Sequence, residues 1–227
     1  MDAWLERDSL NINTKQIGLF YTFTDKNDII ELEVESVINK NQFQTNVAIP
    51  MQKHTDNVMY VESSGRYSCC DGLVSNLKFS LILSLSVADC VPICMHDPIT
   101  GNYGLIHSGW RGTNKKISNQ AIEIMTDRGS EAKDIKVYLG PSISKDKYEV
   151  DGDVALLFSK QNYTCSGKKF LLDIKSQIKD DLLDVGVENE NISSSSICTY
   201  SNLDFPSYRR DSVKAGRIIF LMGKLNG

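Results

Sequence analysis

Hydrophobic positions change their spacing part-way along the chain. In the first third they alternate or fall in short blocks. IGLFYTFT (17–24) and TNVAIPMQ (45–52) are rich in β-branched and aromatic residues, and NVMYVES (57–63) alternates Val58 and Tyr60 with polar neighbours, which predicts strands. LILSLSVADCVPI (81–93) is too long and apolar for an exposed edge and reads as one buried strand, kinked near Pro92. DPITGN (97–102) is turn chemistry, so NYGLIH (102–107) is expected to return as the second strand of a hairpin. After Gly112 the period lengthens. Ile117, Ala121, Ile124 and Met125 fall on one face of a helix that Gly129 ends. IKVYLGP (135–141) returns to strand, EVDGDVALLFSK (149–160) reads as a helix, and Ile174, Ile178, Leu182 and Leu183 mark another. SSSS (193–196) reads as a loop or strand start, and GRIIFLMGK (216–224) as a short apolar element of either type. Strands first, then strands alternating with helices, predict an α+β (mixed α/β) fold with a mixed β-sheet core flanked by helices.

Composition narrows the class. A chain of 227 residues with 41% hydrophobic and 24% charged positions suits one soluble domain, 1–227. Its formal net charge of −4 argues against wrapping a nucleic acid backbone. MDAWLERDSL carries acids where a signal peptide would be basic, and no apolar run approaches the ~18 residues of a membrane span. The six cysteines are therefore read as thiols in a reducing compartment, and the protein as cytoplasmic.

The chemistry concentrates in few residues. His54 follows the strand at 45–52, Cys90 lies in the long apolar run, and His107 ends the returning strand. A hairpin around DPITGN brings Cys90 and His107 within reach, and His54 would join from a neighbouring strand end. Thiolate plus two imidazoles suits zinc, and three protein ligands leave a fourth position open, as in catalytic sites. Two other readings stay open: Cys90 as a nucleophile with His107 as its base, and a packed cysteine with two satisfied histidines. His96, beside the turn residue Asp97, is expected at the surface. Strand alternation should turn Asp89 to the face opposite Cys90, for a structural hydrogen bond or for acid/base work. Arg111 suits either phosphate or a salt bridge to Asp89 or another acid, and Trp110 reads as packing. Of Arg209 and Arg210, one could face phosphate or substrate while the other pairs with an acid.

Several motifs together resemble one family. Gln52-Lys-His54, Asp71-Gly-Leu-Val74, Ala88-Asp89-Cys90-Val-Pro92 and His107-Ser-Gly109-Trp110-Arg111-Gly112 look like signatures of the YfiH-type proteins. These were long called laccase-domain or multicopper polyphenol oxidoreductases and are now regarded as purine nucleoside phosphorylases. The likeness continues through Gly140-Pro141, Tyr148-Glu149-Val150, Ile197-Cys198-Thr199, Ser207-Tyr208-Arg209-Arg210-Asp211 and Gly216-Arg217, spanning about 45–220. The resemblance implies a mixed sheet core flanked by helices, also likened to the cysteine-hydrolase domain of a bacterial necrotising toxin. It implies His54, Cys90 and His107 as zinc ligands; Asp89 and Arg111 are read beside them as catalytic, and Arg209, Arg210 and Gln52 as substrate-binding. The implied activity is phosphorolysis of adenosine, inosine, guanosine and methylthioadenosine, with deamination of adenosine. Purine nucleoside and phosphate are then the partners, with neither nucleic acid nor membrane. Where the family usually carries a Ser-Thr-Arg-x-Gly-Gly-type segment, TFTDKNDII (22–30) has neither the arginine nor the glycines, and Lys26 is its one cation.

Three rivals stand beside this reading. Copper also suits a His2Cys set. A conventional laccase consumes many more histidines than three, which leaves only phenol oxidation at a single copper. The others are a Cys90–His107 hydrolase and a non-enzymatic nucleoside- or metal-binding module.

Overall fold

A computed structural model describes residues 3–4, 17–24 and 46–224. The chain opens with strands β1 (Ala3–Trp4), β2 (Ile17–Thr24), β3 (Val47–Met51), β4 (Val58–Tyr60), β5 (Gly65–Ser68) and β6 (Gly72–Asn76). The long apolar run follows as two strands, β7 (Ile82–Val87) and β8 (Val91–His96), and β9 (Asn102–Ser108) returns against β8. Helices α1 (Trp110–Asn114) and α2 (Ile117–Thr126) come next, then β10 (Lys136–Leu139), β11 (Glu149–Val150) and the short α3 (Gly152–Ala155). The remainder comprises β12 (Tyr163–Ser166), β13 (Lys169–Leu172), α4 (Ile174–Asp184), β14 (Ile192–Ser194), α5 (Tyr208–Asp211) and β15 (Arg217–Lys224).

The fold is mixed α/β. One six-stranded sheet has the order β1-β2-β15-β7-β3-β5, and a second has β14-β10-β8-β9-β6-β4. Both are mixed: β15 is antiparallel to β2 and β7 while β3 runs parallel to β5 and β7, and β10–β14 and β4–β6 are the parallel pairs of the second sheet. A small antiparallel sheet, β11-β13-β12, lies apart from both. Strand alternation sorts the side chains into two cores. Leu83 and Leu85 of β7, Phe220 of β15, Cys94 of β8 and Leu105 of β9 join one cluster that holds the two large sheets together. Their neighbours Ile93, Met95 and Ile106 pack instead with Ala121 and Met125 of α2 and Ile178 and Leu182 of α4. The second sheet is thus a middle layer buried on both faces, and truncating a side chain there such as Ile106 to alanine should cost about 2–5 kcal/mol.

Four expectations change. The run 81–93 is two strands in two sheets: Val87 pairs Ile218 in the first, and Val91 pairs Ser108 in the second. The chain turns at Asp89, which takes a left-handed φ of 81°, and not at Pro92. Pro92 lies inside β8, and its carbonyl accepts from Gly140 N at 2.9 Å. The run read as one strand because both halves are apolar and no glycine marks the corner. Only Gly152–Ala155 of 149–160 is α-helical, because Leu156 and Leu157 face outward and offer no apolar stripe. In α2 the buried face is Ile117, Ala121, Ile122 and Met125, with Ile124 half-buried, and in α4 Leu183 is exposed. His96 is fully buried in the covered β8, with neither ring nitrogen hydrogen-bonded among the described residues. Burial lowers its pKa to about 4, so the ring is neutral. The segment 216–224 resolves as the strand β15. No helix among the described residues is long and apolar enough to cross a membrane.

Candidate metal centre

Beyond the end of β3, Gln52 prolongs the pairing with β7 through its side chain. Its Nε2 donates to Ser86 O at 2.8 Å, while Oε1 accepts from Ser86 N and Oγ at 3.0 and 3.1 Å. The chain then turns sharply, with His54 at φ 57°. A single buried carboxylate organises this turn. Asp71 accepts from Lys53 N (3.0 Å), His54 N (2.9 Å), Thr55 N (2.7 Å) and Thr55 Oγ1 (2.7 Å). The same carboxylate meets His107 Nδ1 at 2.7 Å. Burial alone would raise the Asp71 pKa, but the hydrogen bonds from His107, Thr55 and Lys53 outweigh it and hold the carboxyl well below the usual range. An ionised Asp71 fixes a proton of His107 on Nδ1, which leaves Nε2 as the nitrogen that would bind a metal.

Cys90 is the residue between the Asp89 corner and β8, and in register His107 lies opposite Pro92. The thiol, His54 and His107 offer ligand atoms all within 4.8 Å of one another, with Cys90 Sγ 4.0 Å from His54 Nε2. The two imidazoles meet edge to face, their centroids 4.8 Å apart. Two metal–ligand bonds of about 2.0–2.3 Å nearly span such separations, and thiolate with two imidazoles is a borderline-soft donor set. The residues fit a metal ion. Gly109 makes the close approach possible, since a Cβ there would lie 3.0 Å from Cys90 Sγ and 3.2 Å from His54 Cδ2. Burial opposes ionisation of Cys90, yet hydrogen bonding to His107 and then His54 brings its pKa down to about 6. Burial likewise disfavours a charged His107, but Asp71 and then Cys90 raise it to about 9. Without a metal, each group favours the charged form of the other, the thiol towards thiolate and the ring towards its protonated form.

The remaining candidates surround this cluster. Asp89 lies in no strand, so alternation does not set its direction. Its carboxylate accepts from Thr199 Oγ1 and Arg209 N, each at 2.6 Å. Arg209 extends over the Tyr148 ring, 5.3 Å from its centroid, and donates from a terminal guanidinium nitrogen to Glu149 O at 2.8 Å. Arg111 is exposed and stacks on Trp110 at 4.2 Å; among the described residues it makes no salt bridge to Asp89. Trp110 packs between the helix-side core and the small sheet. The Arg210 guanidinium is engaged by Asp211 and by the carbonyls of Thr199, Tyr200, Asn202 and Phe205. Residues 25–30 of the divergent segment, Lys26 included, lie outside the described residues.

Two residues that the sequence placed in motifs without a role stand out here. Asp71, followed by Gly72, looks like half of a turn, and nothing local announces a buried carboxylate. Tyr148 has its hydroxyl pKa raised by burial and by the Cys90 charge, with Arg209 opposing, so it remains a proton donor.

Similarity to known proteins fits this geometry. The family described as "Multi-copper polyphenol oxidoreductase laccase" matches residues 8–224. The chain belongs to that family. It is the YfiH-type family that the motifs resemble, and its members include relatives named for purine chemistry. A Bacillus subtilis protein named purine nucleoside phosphorylase YlmD is 38% identical over 163 residues, or 67% of this chain. The chain spans 58% of that relative's length. A protein named adenosine deaminase RL5, from an unknown prokaryotic organism, is 28% identical over 191 residues, covering 75% of this chain and 72% of its own. The crystal structure of YlmD from Geobacillus stearothermophilus superposes with a TM-score of 0.84 at 25% identity, covering 92% of each chain.

Proposed function

We propose that this chain is a zinc-dependent purine nucleoside phosphorylase, acting on adenosine, inosine, guanosine and methylthioadenosine, that also deaminates adenosine. The observation that carries the reading is the open three-donor cluster, locked by Asp71 and flanked by Arg111 and Arg209, in a chain whose relatives bear those two names. His54, Cys90 and His107 would hold the metal, which when bound supplies Lewis-acid chemistry. Phosphorolysis needs phosphate aimed at the anomeric carbon and stabilisation of the departing purine. Arg111 and Arg209 offer the guanidinium groups that suit phosphate oxygens, and Asp89 holds Arg209 by its backbone. Tyr148 keeps its proton and offers a hydrogen bond to the nucleoside beside Cys90. Six free thiols, with Cys69 and Cys165 exposed, suit the cytoplasm.

The test is to incubate purified, metal-quantified protein with adenosine, with and without phosphate, and to separate the products. Free adenine appearing only with phosphate establishes phosphorolysis. Inosine formed regardless of phosphate makes deamination the main activity. Adenosine recovered unchanged overturns the reading. Quantitative copper with a thiolate-to-copper absorption band would instead revive the single-copper phenol oxidase.

The thiolate–imidazolium pair favours a second reading, a cysteine hydrolase with Cys90 as nucleophile. Metal-free protein inactivated by a thiol alkylator would support it, and a tightly held stoichiometric metal would remove it.

A further inference from the structure

Lys175, the second residue of α4, is a cation without a counter-ion. Its Nζ donates one hydrogen bond, to Ser195 O at 2.8 Å, and among the described residues it forms no salt bridge. Burial, with Asp173 opposing, lowers its pKa to about 8. A lysine usually keeps its ammonium at a polar boundary, and this half-buried ammonium faces a cavity, an arrangement that suits an anion.

The surroundings say which anion. Lys175 lines a cavity of about 380 Å³ together with Lys145, Ser144, Asp146, Asp173, Ser195 and Ser196, and the Asp146 carboxylate is already engaged by Ser144 Oγ and by Lys147 at 3.5 Å. That size lies at the lower end of small-molecule sites. The serine tract at 193–196, bland as sequence, thus forms part of a wall. Asp173 uses Oδ1 to cap α4, accepting from Ser176 N at 3.0 Å, while Oδ2 makes no hydrogen bond among the described residues. Two ammonium groups suit a phosphate, whereas a carboxylate beside hydroxyls suits a ligand that also donates O–H groups. Inorganic phosphate offers few such donors and would fill little of the space. A nucleotide base would find no aromatic side chain to stack on, since the apolar lining is Ile143, Leu171 and Ile197. A phosphorylated polyol matches the two lysines, Asp173 and the serine hydroxyls of this lining.

We propose that this cavity is a second small-molecule site, separate from the metal centre, which takes a phosphorylated sugar of about pentose size. Its phosphate lies against Lys175 and Lys145, and its hydroxyls donate to Asp173 and meet Ser196. None of His54, Cys90 and His107 lines it. Its floor nevertheless hangs on the same corner: Ile143 N donates to Asp89 O, and Thr199 N to Ser142 O, each at 3.0 Å. The proposal does not rest on the purine reading.

Calorimetric titration of the full chain as purified, with ribose 5-phosphate as the probe, tests it. Ribose and inorganic phosphate serve as partial probes. The expected result is one saturable event for ribose 5-phosphate, with either fragment at least tenfold weaker. Lys175→Met should weaken it at least tenfold with an unchanged melting profile. Lys145→Ala provides a second variant should Lys175→Met fail to fold. Cys90→Ser, which disables the metal centre, should bind as the parent does, so failure of this proposal and failure of the purine reading are distinguishable. Parent-like binding by both lysine variants would overturn the proposal. So would phosphate binding as tightly as the sugar phosphate, loss of binding in Cys90→Ser, or no binding at all.

Discussion

The residue with the widest reach in this structure is Asp71, which was legible only as a letter in a motif. It receives the backbone of 53–55 and the ring of His107, so it positions one imidazole through the main chain and the other directly. Asp71→Asn replaces a charged acceptor with a weaker one that also presents N–H. The expected loss of metal affinity is roughly tenfold to hundredfold, read by competition with a chromophoric chelator. His96 gives the second prediction at this scale. Its folded pKa of about 4 lies below the ordinary 6.5, so on acidification the unfolded chain takes up the proton first. Stability is therefore unaffected above pH 6.5 and falls between pH 6.5 and about 4, by about 3 kcal/mol at most. His96→Leu should flatten that part of a urea-midpoint-against-pH curve, and an unchanged slope would contradict the assignment. The sequence put His96 at the surface because Asp97 and the turn beside it are polar. Its burial is set by the layers on both sides of β8, which no local pattern reports.

At the scale of elements, the hairpin around 97–102 and the helices at 117–126 and 174–184 were legible because each carries a period and a terminator. The corner at Asp89 was not. A left-handed non-glycine residue between two apolar halves leaves no mark in hydropathy, yet it decides that β7 and β8 join different sheets. The hairpin that brings Cys90 to His107 was legible, but the same gap hid the place of Cys90 in the link between two sheets. Glycine at 109 allows α1 to begin directly over the cluster. Gly109→Ala drives a methyl against Cys90 Sγ and the His54 ring. Overpacking of this kind costs about 1–3 kcal/mol, so metal should bind about tenfold or more weaker while circular dichroism stays unchanged. Ser207 caps α5, its Oγ accepting from Arg210 N at 3.2 Å. Ser207→Ala should cost about 1 kcal/mol and raise KM for phosphate more than it lowers kcat, because the cap holds the turn that presents Arg209.

Across the whole molecule, each large sheet contributes one imidazole to the cluster: His54 follows β3 in the first, and His107 lies on β9 in the second. Cys90 sits in the link that passes from one sheet to the other. A bound metal therefore ties the layers together and stabilises the folded state by mass action, about 2.7 kcal/mol at a hundredfold excess over Kd. Chelation should lower Tm by several degrees, and restoring the metal should recover it. The apolar cores do not pass through the cluster, however, so the stripped chain should stay folded, unlike small domains that need zinc to fold at all. The crossing at Asp89 then fixes an order of events in the life of the molecule. Until both sheets have closed upon each other the three donors are strangers in space, and a nascent chain lacks their joint geometry. Loading would then be a late, post-folding step, and chain refolded in chelator should acquire an ion afterwards at the rate of simple encounter, with no refolding phase in between.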